Sequence, residues 1–168
     1  IARVMGCANI IAVGLEADEE RFKIARRYGA THIIKSDAQD VAAEVDLITE
    51  GEKAAVAIDA AGVNSVLRQA IDVVRTGGEI VKIGYDSRPY GYSLDNILDR
   101  GISIKGHFGY DYQSWKNVIR LLKQGKVDLK GMISHHILLK DWKKGFDLVR
   151  SRKAIKIIIT QDEEKLSV

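Results

Sequence analysis

Cysteine and proline are nearly absent from this sequence, which has one of each among 168 residues. Because Cys7 has no second cysteine to pair with, the chain forms no internal disulfide, which is typical of a reducing compartment and predicts a cytoplasmic protein. Cys7 has no base beside it in the sequence, so we expect a small packed residue rather than a nucleophile. Pro89 stands in a predicted loop, where it interrupts no helix or strand.

Long hydrophobic runs and metal-ligand spacings are also missing. No apolar run approaches the ~18 residues of a membrane helix, and residues 1–6 lack the apolar stretch of a signal peptide. The four histidines show no zinc-ligand spacing, and adjacent His135 and His136 point to opposite faces of an extended segment. Basic and acidic residues are interleaved, with a net charge of only +3. We therefore predict a soluble protein without a membrane or nucleic-acid partner.

Short apolar runs rich in β-branched residues recur along the chain, and each interval between the first four is long enough for one helix. Because these runs do not alternate with polar residues, both faces of each strand should be covered, as in a parallel sheet. The pattern predicts one doubly wound α/β domain. The predicted strands cover residues 10–13, 31–34, 55–59, 79–84, 102–105 and 155–160.

The predicted helices carry start and stop residues. Asp18 is expected to cap the first helix and Asn64 the third, which Gly77 and Gly78 should end. Trp115 and Trp142 fall on the apolar stripes of later helices, so we expect both rings to anchor the core.

Six segments stand in a fixed order and spacing, over about residues 1–160. They are IIAV at 10–13, RFKIARRYGA at 21–30, VAIDAAG at 56–62, VRTGGEIVKIG at 74–84, SIKGHFG at 103–109 and LVRSRKAIK at 148–156. Together they resemble the nucleotide-binding half of the zinc-type medium-chain dehydrogenase/reductase family, which includes alcohol, polyol and threonine dehydrogenases.

The resemblance implies a Rossmann-type domain over residues 1–160 and a polar tail at 161–168. In the family, the first strand, the glycine-rich turn that binds pyrophosphate and the zinc-containing catalytic domain all precede this region. We therefore expect a truncated cofactor-binding domain that does not turn over substrate alone. Its partner would be the missing catalytic domain, the only place where zinc is expected.

The implied function is to orient nicotinamide for hydride transfer to or from a secondary alcohol, within an alcohol or polyol oxidoreductase. Acidic side chains between Glu16 and Glu20 would repel a ribose phosphate, which favours NAD and leaves NADP open. A non-catalytic nucleotide-sensing or ligand-binding α/β module is the alternative from another class.

The resemblance assigns cofactor-binding residues near both ends of the dinucleotide, and it assigns no catalytic residue or metal ligand. Gly14 stands where the family places an acid on the adenosine ribose, so Glu16 or Asp18 is left to take that role, with a plain helix cap as the alternative for Asp18. Arg21 matches a position beside the ribose and Lys156 one near the pyrophosphate, although both also suit solvated surface charges. The nicotinamide side is assigned to Ala60, Ala61, Gly62, Ile83, Gly84, Tyr85, His107, Phe108 and Gly109, with His107 acting through its main chain.

The last implied feature is a homodimer. The strand near 102–105 should be the outer strand of the sheet, and in the family this edge pairs across a two-fold axis. We expect an isologous dimer through residues 101–109.

Overall fold

A computed structural model describes residues 1–129 and 131–162, and within them it places seven strands and six α-helices. In chain order these are β1 (Ile11–Gly14), α1 (Glu19–Arg27), β2 (His32–Lys35), α2 (Val41–Ile48), β3 (Ala54–Asp59), α3 (Asn64–Val73), β4 (Val74–Lys82), α4 (Asp95–Arg100), β5 (Ser103–Gly106), α5 (Tyr112–Lys123), β6 (Ile133–Leu138), α6 (Trp142–Arg150) and β7 (Lys156–Thr160).

The strands form three separate sheets, in the orders β1-β2, β3-β4-β5 and β6-β7. The β3–β4, β4–β5 and β6–β7 pairs are parallel, which confirms the predicted α/β class. The predicted doubly wound domain would have one continuous sheet. The described residues do not form it, because none of their strands pairs with both β1 and β3.

The chain divides into two compact units. Unit 1 contains residues 1–33 and the chain from Lys116 onward, and unit 2 contains residues 34–115. Residues 161 and 162 are the only part of the predicted tail that the structure describes, and residues 163–168 lie outside the described residues.

The core of unit 2 lies between α3 and the β3-β4-β5 sheet. Leu67, Ala70 and Ile71 are spaced three and four residues apart, so they share one face of α3. That face packs against Val74 and Ile80 of β4, which are both fully buried.

The junction of α3 and β4 differs from the sequence prediction in two ways. Val63, not Asn64, is the N-cap of α3, and the Asn64 amide instead donates to the carbonyl oxygens of Arg88 and Pro89, at 3.3 and 2.7 Å. The two glycines do not end the helix, because α3 ends at Val73 and β4 begins at Val74. Gly77 and Gly78 lie inside β4, where its pairing with β3 is irregular.

Arg100 closes the other end of α3. Its guanidinium donates to the carbonyl oxygens of Ile71 and Val74, at 2.5 and 2.9 Å. These carbonyl groups have no partner within the helix, so Arg100 replaces the hydrogen bonds that a helix end otherwise loses.

Three expectations about single side chains are wrong. Trp115 and Trp142 are each 52% exposed instead of buried. The apolar stripes exist, but each indole packs edge-to-face on a nearby ring, Trp115 on Tyr110 and Trp142 on Phe146, and keeps the rest of its surface open. Cys7 is also exposed rather than packed.

Candidate functional site

The carboxyl ends of β3, β4 and β5 meet at one edge of the sheet in unit 2. Asp59 pairs in register with Lys82, and Lys82 with Gly106. Because the three strands are parallel, the loops that follow them lie side by side. Ligands of parallel α/β sheets bind beyond this edge, so the structure brings together residues 60–62, 83–85 and 107–109 from the predicted set.

Asp59 is the centre of this edge. Its side chain is fully buried, and its Oδ1 accepts the N–H groups of Ala61 and Gly62, at 3.1 Å each. Its Oδ2 accepts Lys82 Nζ at 2.9 Å. One carboxylate therefore fixes the turn after β3 and binds a side chain of β4.

The turns after β3 and β4 are in direct backbone contact. Gly62 has φ +72°, and an ideal Cβ there would lie 2.6 Å from the Tyr85 nitrogen; a Cβ on Gly84 would overlap the Gly62 nitrogen. The Asp59 carbonyl oxygen also accepts the N–H groups of Ile83 and Gly84, at 2.9 and 2.8 Å. Only glycine permits this approach at both positions.

The same edge presents main-chain groups that the described residues leave without a hydrogen bond. The N–H groups of Tyr85, Phe108 and Gly109 donate to no other described residue, whereas the His107 N–H donates to the Lys82 carbonyl oxygen at 3.0 Å. Tyr85 and Phe108 are 81% and 93% exposed. The arrangement can donate hydrogen bonds to a planar polar ligand and cover it with an aromatic ring.

A cavity of about 460 Å³ lies at the start of α3, lined by residues 63–65 and 88–92. Arg88 donates to Asp86 through Nε and Nη2, at 3.0 and 2.8 Å. These side-chain hydrogen bonds hold the pKa of Asp86 well below its ordinary value. None of the residues predicted to bind the cofactor lines this cavity.

Unit 1 contains the remaining predicted residues. Gly14 ends β1, and an ideal Cβ there would lie 2.9 Å from the Phe22 ring, so the glycine lets Phe22 pack. Asp18 Oδ2 accepts the Leu15 N–H at 3.1 Å. Asp18 is the N-cap residue of α1, as predicted, but its side chain makes no capping bond to that helix.

Two arginines converge on the same carboxylate. Arg21 and Arg152 lie 3.3 and 3.5 Å from Asp18 oxygens. Arg21, predicted to lie beside a ribose, is therefore already paired. Glu16 is exposed in the turn after β1, and Lys156 is exposed at the start of β7.

Within residues 1–129 and 131–162, no three His, Cys, Asp or Glu side chains come together in a way that could hold a metal ion. These residues do not fit a zinc centre. No helix in this part of the chain is long and apolar enough to cross a membrane.

The sequence reasoning did not single out Asp59 and Lys82. The sequence does show an acidic residue, Asp59, directly after the apolar run at 55–58. Its partner, Lys82, is 23 residues away along the chain, and only the parallel register of β3 and β4 brings the two together.

Comparison with known proteins gives consistent matches. A model of a family described as zinc-binding dehydrogenase matches residues 1–124. An uncharacterized zinc-type alcohol dehydrogenase-like protein of Escherichia coli (strain K12) is 40% identical over 163 residues, covering 96% of this chain and 46% of that protein. An L-threonine 3-dehydrogenase of Bacillus velezensis is 29% identical, covering 95% of this chain and 46% of that protein.

A solved structure agrees with these matches. The 2R,3R-butanediol dehydrogenase of Bacillus subtilis superimposes with a TM-score of 0.84 at 29% identity, covering 96% of this chain and 46% of that one. The chain thus spans about half the length of the relatives that it matches.

Proposed function

The chain belongs to the zinc-binding dehydrogenase family, and from this premise we propose that it is the cofactor-binding domain of an alcohol or polyol dehydrogenase. The observation that carries the proposal is the edge of unit 2, where the loops after β3, β4 and β5 lie side by side with free N–H groups at Tyr85, Phe108 and Gly109. A nicotinamide ring with its carboxamide suits such an edge, because it is flat and has both hydrogen-bond donors and acceptors.

The role of these residues is to bind and orient. When bound, the nicotinamide supplies hydride chemistry with a secondary alcohol in the whole enzyme. The free main-chain donors fix the carboxamide, and the exposed rings of Tyr85 and Phe108 limit the access of water. A separate catalytic domain would hold the substrate and the zinc, since the described residues of this chain contain no metal site.

We further propose NAD rather than NADP as the cofactor. Glu16, Glu19 and Glu20 are exposed after β1, and they would repel the extra phosphate of NADP. Arg21 and Arg152, which would otherwise attract that phosphate, are both paired with Asp18. Gly14, Glu16, Arg21 and Lys156 stay predictions for the adenosine and pyrophosphate portions.

Titration of the full chain with NADH tests this function. The fluorescence of NADH reports binding and gives the dissociation constant. Replacing Gly106 with valine should weaken binding about tenfold or more, a change of about 1.4 kcal/mol. The reason is that nothing lies within 4 Å of a Cβ at this position, so the new side chain enters the space that the ligand would need.

The matched control is Ser103→Val, which places the same side chain at the exposed opposite end of β5 and should leave the dissociation constant unchanged. NADPH should bind more weakly than NADH. A titration of the parent that shows no saturable binding, or a Gly106→Val variant that binds like the parent, would contradict the proposal.

We also propose a homodimer through residues 101–109. β5 is an outer strand of its sheet, and all four of its residues are exposed. The His107 N–H points to β4, so alternation along the strand directs the N–H of Lys105 to β4 and that of Ile104 to the open edge. An open edge with free N–H and C=O groups pairs readily with a second copy.

Ile104→Pro should therefore convert the dimer to a monomer without removing a bond to β4. Sedimentation velocity measures the change. Lys105→Pro is the matched control and should destabilise the sheet itself, seen as a lower unfolding temperature. A dimer that persists in Ile104→Pro would place the interface elsewhere.

A further inference from the structure

Asp59 is the one buried polar or charged residue among those that the structure describes. Its partner Lys82 lies in β4, with its side chain 25% exposed. Moving a carboxylate out of water is costly, and a buried ion pair often stabilises a fold no better than a well-packed apolar pair. Stability alone therefore gives no reason for an ion pair at this position.

Asp59 and Lys82 bond to main-chain groups of all three loops, through their side chains at the first two and through the main chain of Lys82 at the third. Asp59 accepts four N–H groups, those of Ala61 and Gly62 through its side chain and those of Ile83 and Gly84 through its carbonyl oxygen. Lys82 Nζ donates to the Gly84 carbonyl oxygen at 2.9 Å.

Lys82 also reaches the third loop. Its carbonyl oxygen accepts the His107 N–H at 3.0 Å. The side chains of the pair thus hold the first two turns, the main chain of Lys82 holds the third, and the free N–H groups of Tyr85 and Phe108 are one residue away from residues bonded in this way.

We propose that Asp59 and Lys82 are positioning residues that set the affinity for the dinucleotide by fixing the spacing of these loops. The proposal rests on the proposed function of the same edge. Neither side chain is required to touch the ligand. Their effect is to keep the main-chain donors aligned before binding, which lowers the ordering cost when the ligand arrives.

The double variant Asp59→Asn/Lys82→Met tests the proposal. Asparagine keeps an oxygen for the Ala61 and Gly62 N–H groups, and methionine replaces the lysine stem, so neither change leaves a buried charge. The Gly84 carbonyl oxygen loses its donor. We expect the dissociation constant for NADH to rise about tenfold while the unfolding temperature stays close to that of the parent.

The matched control is Glu79→Gln/Lys105→Met, which removes an ion pair between β4 and β5 of the same sheet. It makes the same change in charge but touches none of the three loops, so NADH should bind as in the parent. Unchanged affinity in the Asp59/Lys82 variant, or equal weakening in the control, would overturn the proposal.

Amide hydrogen exchange of the parent provides a second measurement that does not depend on how well a variant folds. The amides that donate to the Asp59 side chain, at residues 61 and 62, and those that donate to the main chain of Asp59 or Lys82, at residues 83, 84 and 107, should exchange more slowly together when NADH is added. Unaltered exchange at these amides in saturated protein would overturn the proposal. Failure of the proposed function is distinguishable, because it appears in the parent as absence of NADH binding.

Discussion

Gly84→Ala is expected to lower the free energy of unfolding by about 3 kcal/mol, at the upper end of the usual cost of overpacking. The added Cβ would overlap the Gly62 main chain and lie 3.0 Å from the Ala61 carbonyl carbon. These atoms cannot move aside, because Asp59 holds the N–H groups of both residues. Chemical denaturation of the full chain measures the loss.

Gly106→Ala is the matched control for this substitution. Gly106 is the last residue of β5, at the same edge of the sheet as Gly84, and a Cβ there meets nothing within 4 Å. Its free energy of unfolding should therefore change by less than about 0.5 kcal/mol. Similar losses in the two variants would show that the contact between the turns after β3 and β4 does not exist.

Ile80→Ala should cost about 2 to 5 kcal/mol, since it removes buried methyl and methylene groups and leaves a cavity. Ile80 is fully buried and packs in the cluster formed by α3, β4 and Ile102. The packed helix and sheet around it can collapse only partly into the space.

Ile58→Ala makes the same chemical change on the neighbouring strand β3. Ile58 is 62% exposed, so the loss should stay below about 1 kcal/mol. Thermal or urea unfolding compares the two variants. A loss at Ile58 as large as that at Ile80 would mean that the apolar centre of unit 2 is not where the structure places it.

Local sequence patterns predicted those strands whose residues form a continuous apolar run. The segment at 55–59 became β3, Ala54–Asp59, because its residues are apolar up to an acid. β6, Ile133–Leu138, was not predicted, because Ser134, His135 and His136 interrupt its apolar pattern. α4 was also not predicted, since its six residues are too few to show helical periodicity.

The candidate site was only partly accessible to the same reasoning. The loops that follow each strand could be named from the order of the elements, which is why residues 60–62, 83–85 and 107–109 were assigned together. The Asp59–Lys82 pair depends on strand register, which no short segment specifies. The burial of Trp115 and Trp142 was predicted wrongly because periodicity identifies the apolar face of a helix and not what covers it.

The two half-exposed indoles, of Trp115 and Trp142, can serve as intrinsic fluorescence probes. Only two tryptophans occur in the sequence, and Trp115 belongs to unit 2 whereas Trp142 belongs to unit 1. Each packs against one aromatic neighbour of its own unit, Tyr110 and Phe146 respectively. In a protein with one indole replaced by phenylalanine, the intrinsic emission that remains follows a single helix, α5 through Trp115 or α6 through Trp142, so the loss of structure around each helix can be recorded separately without any added label.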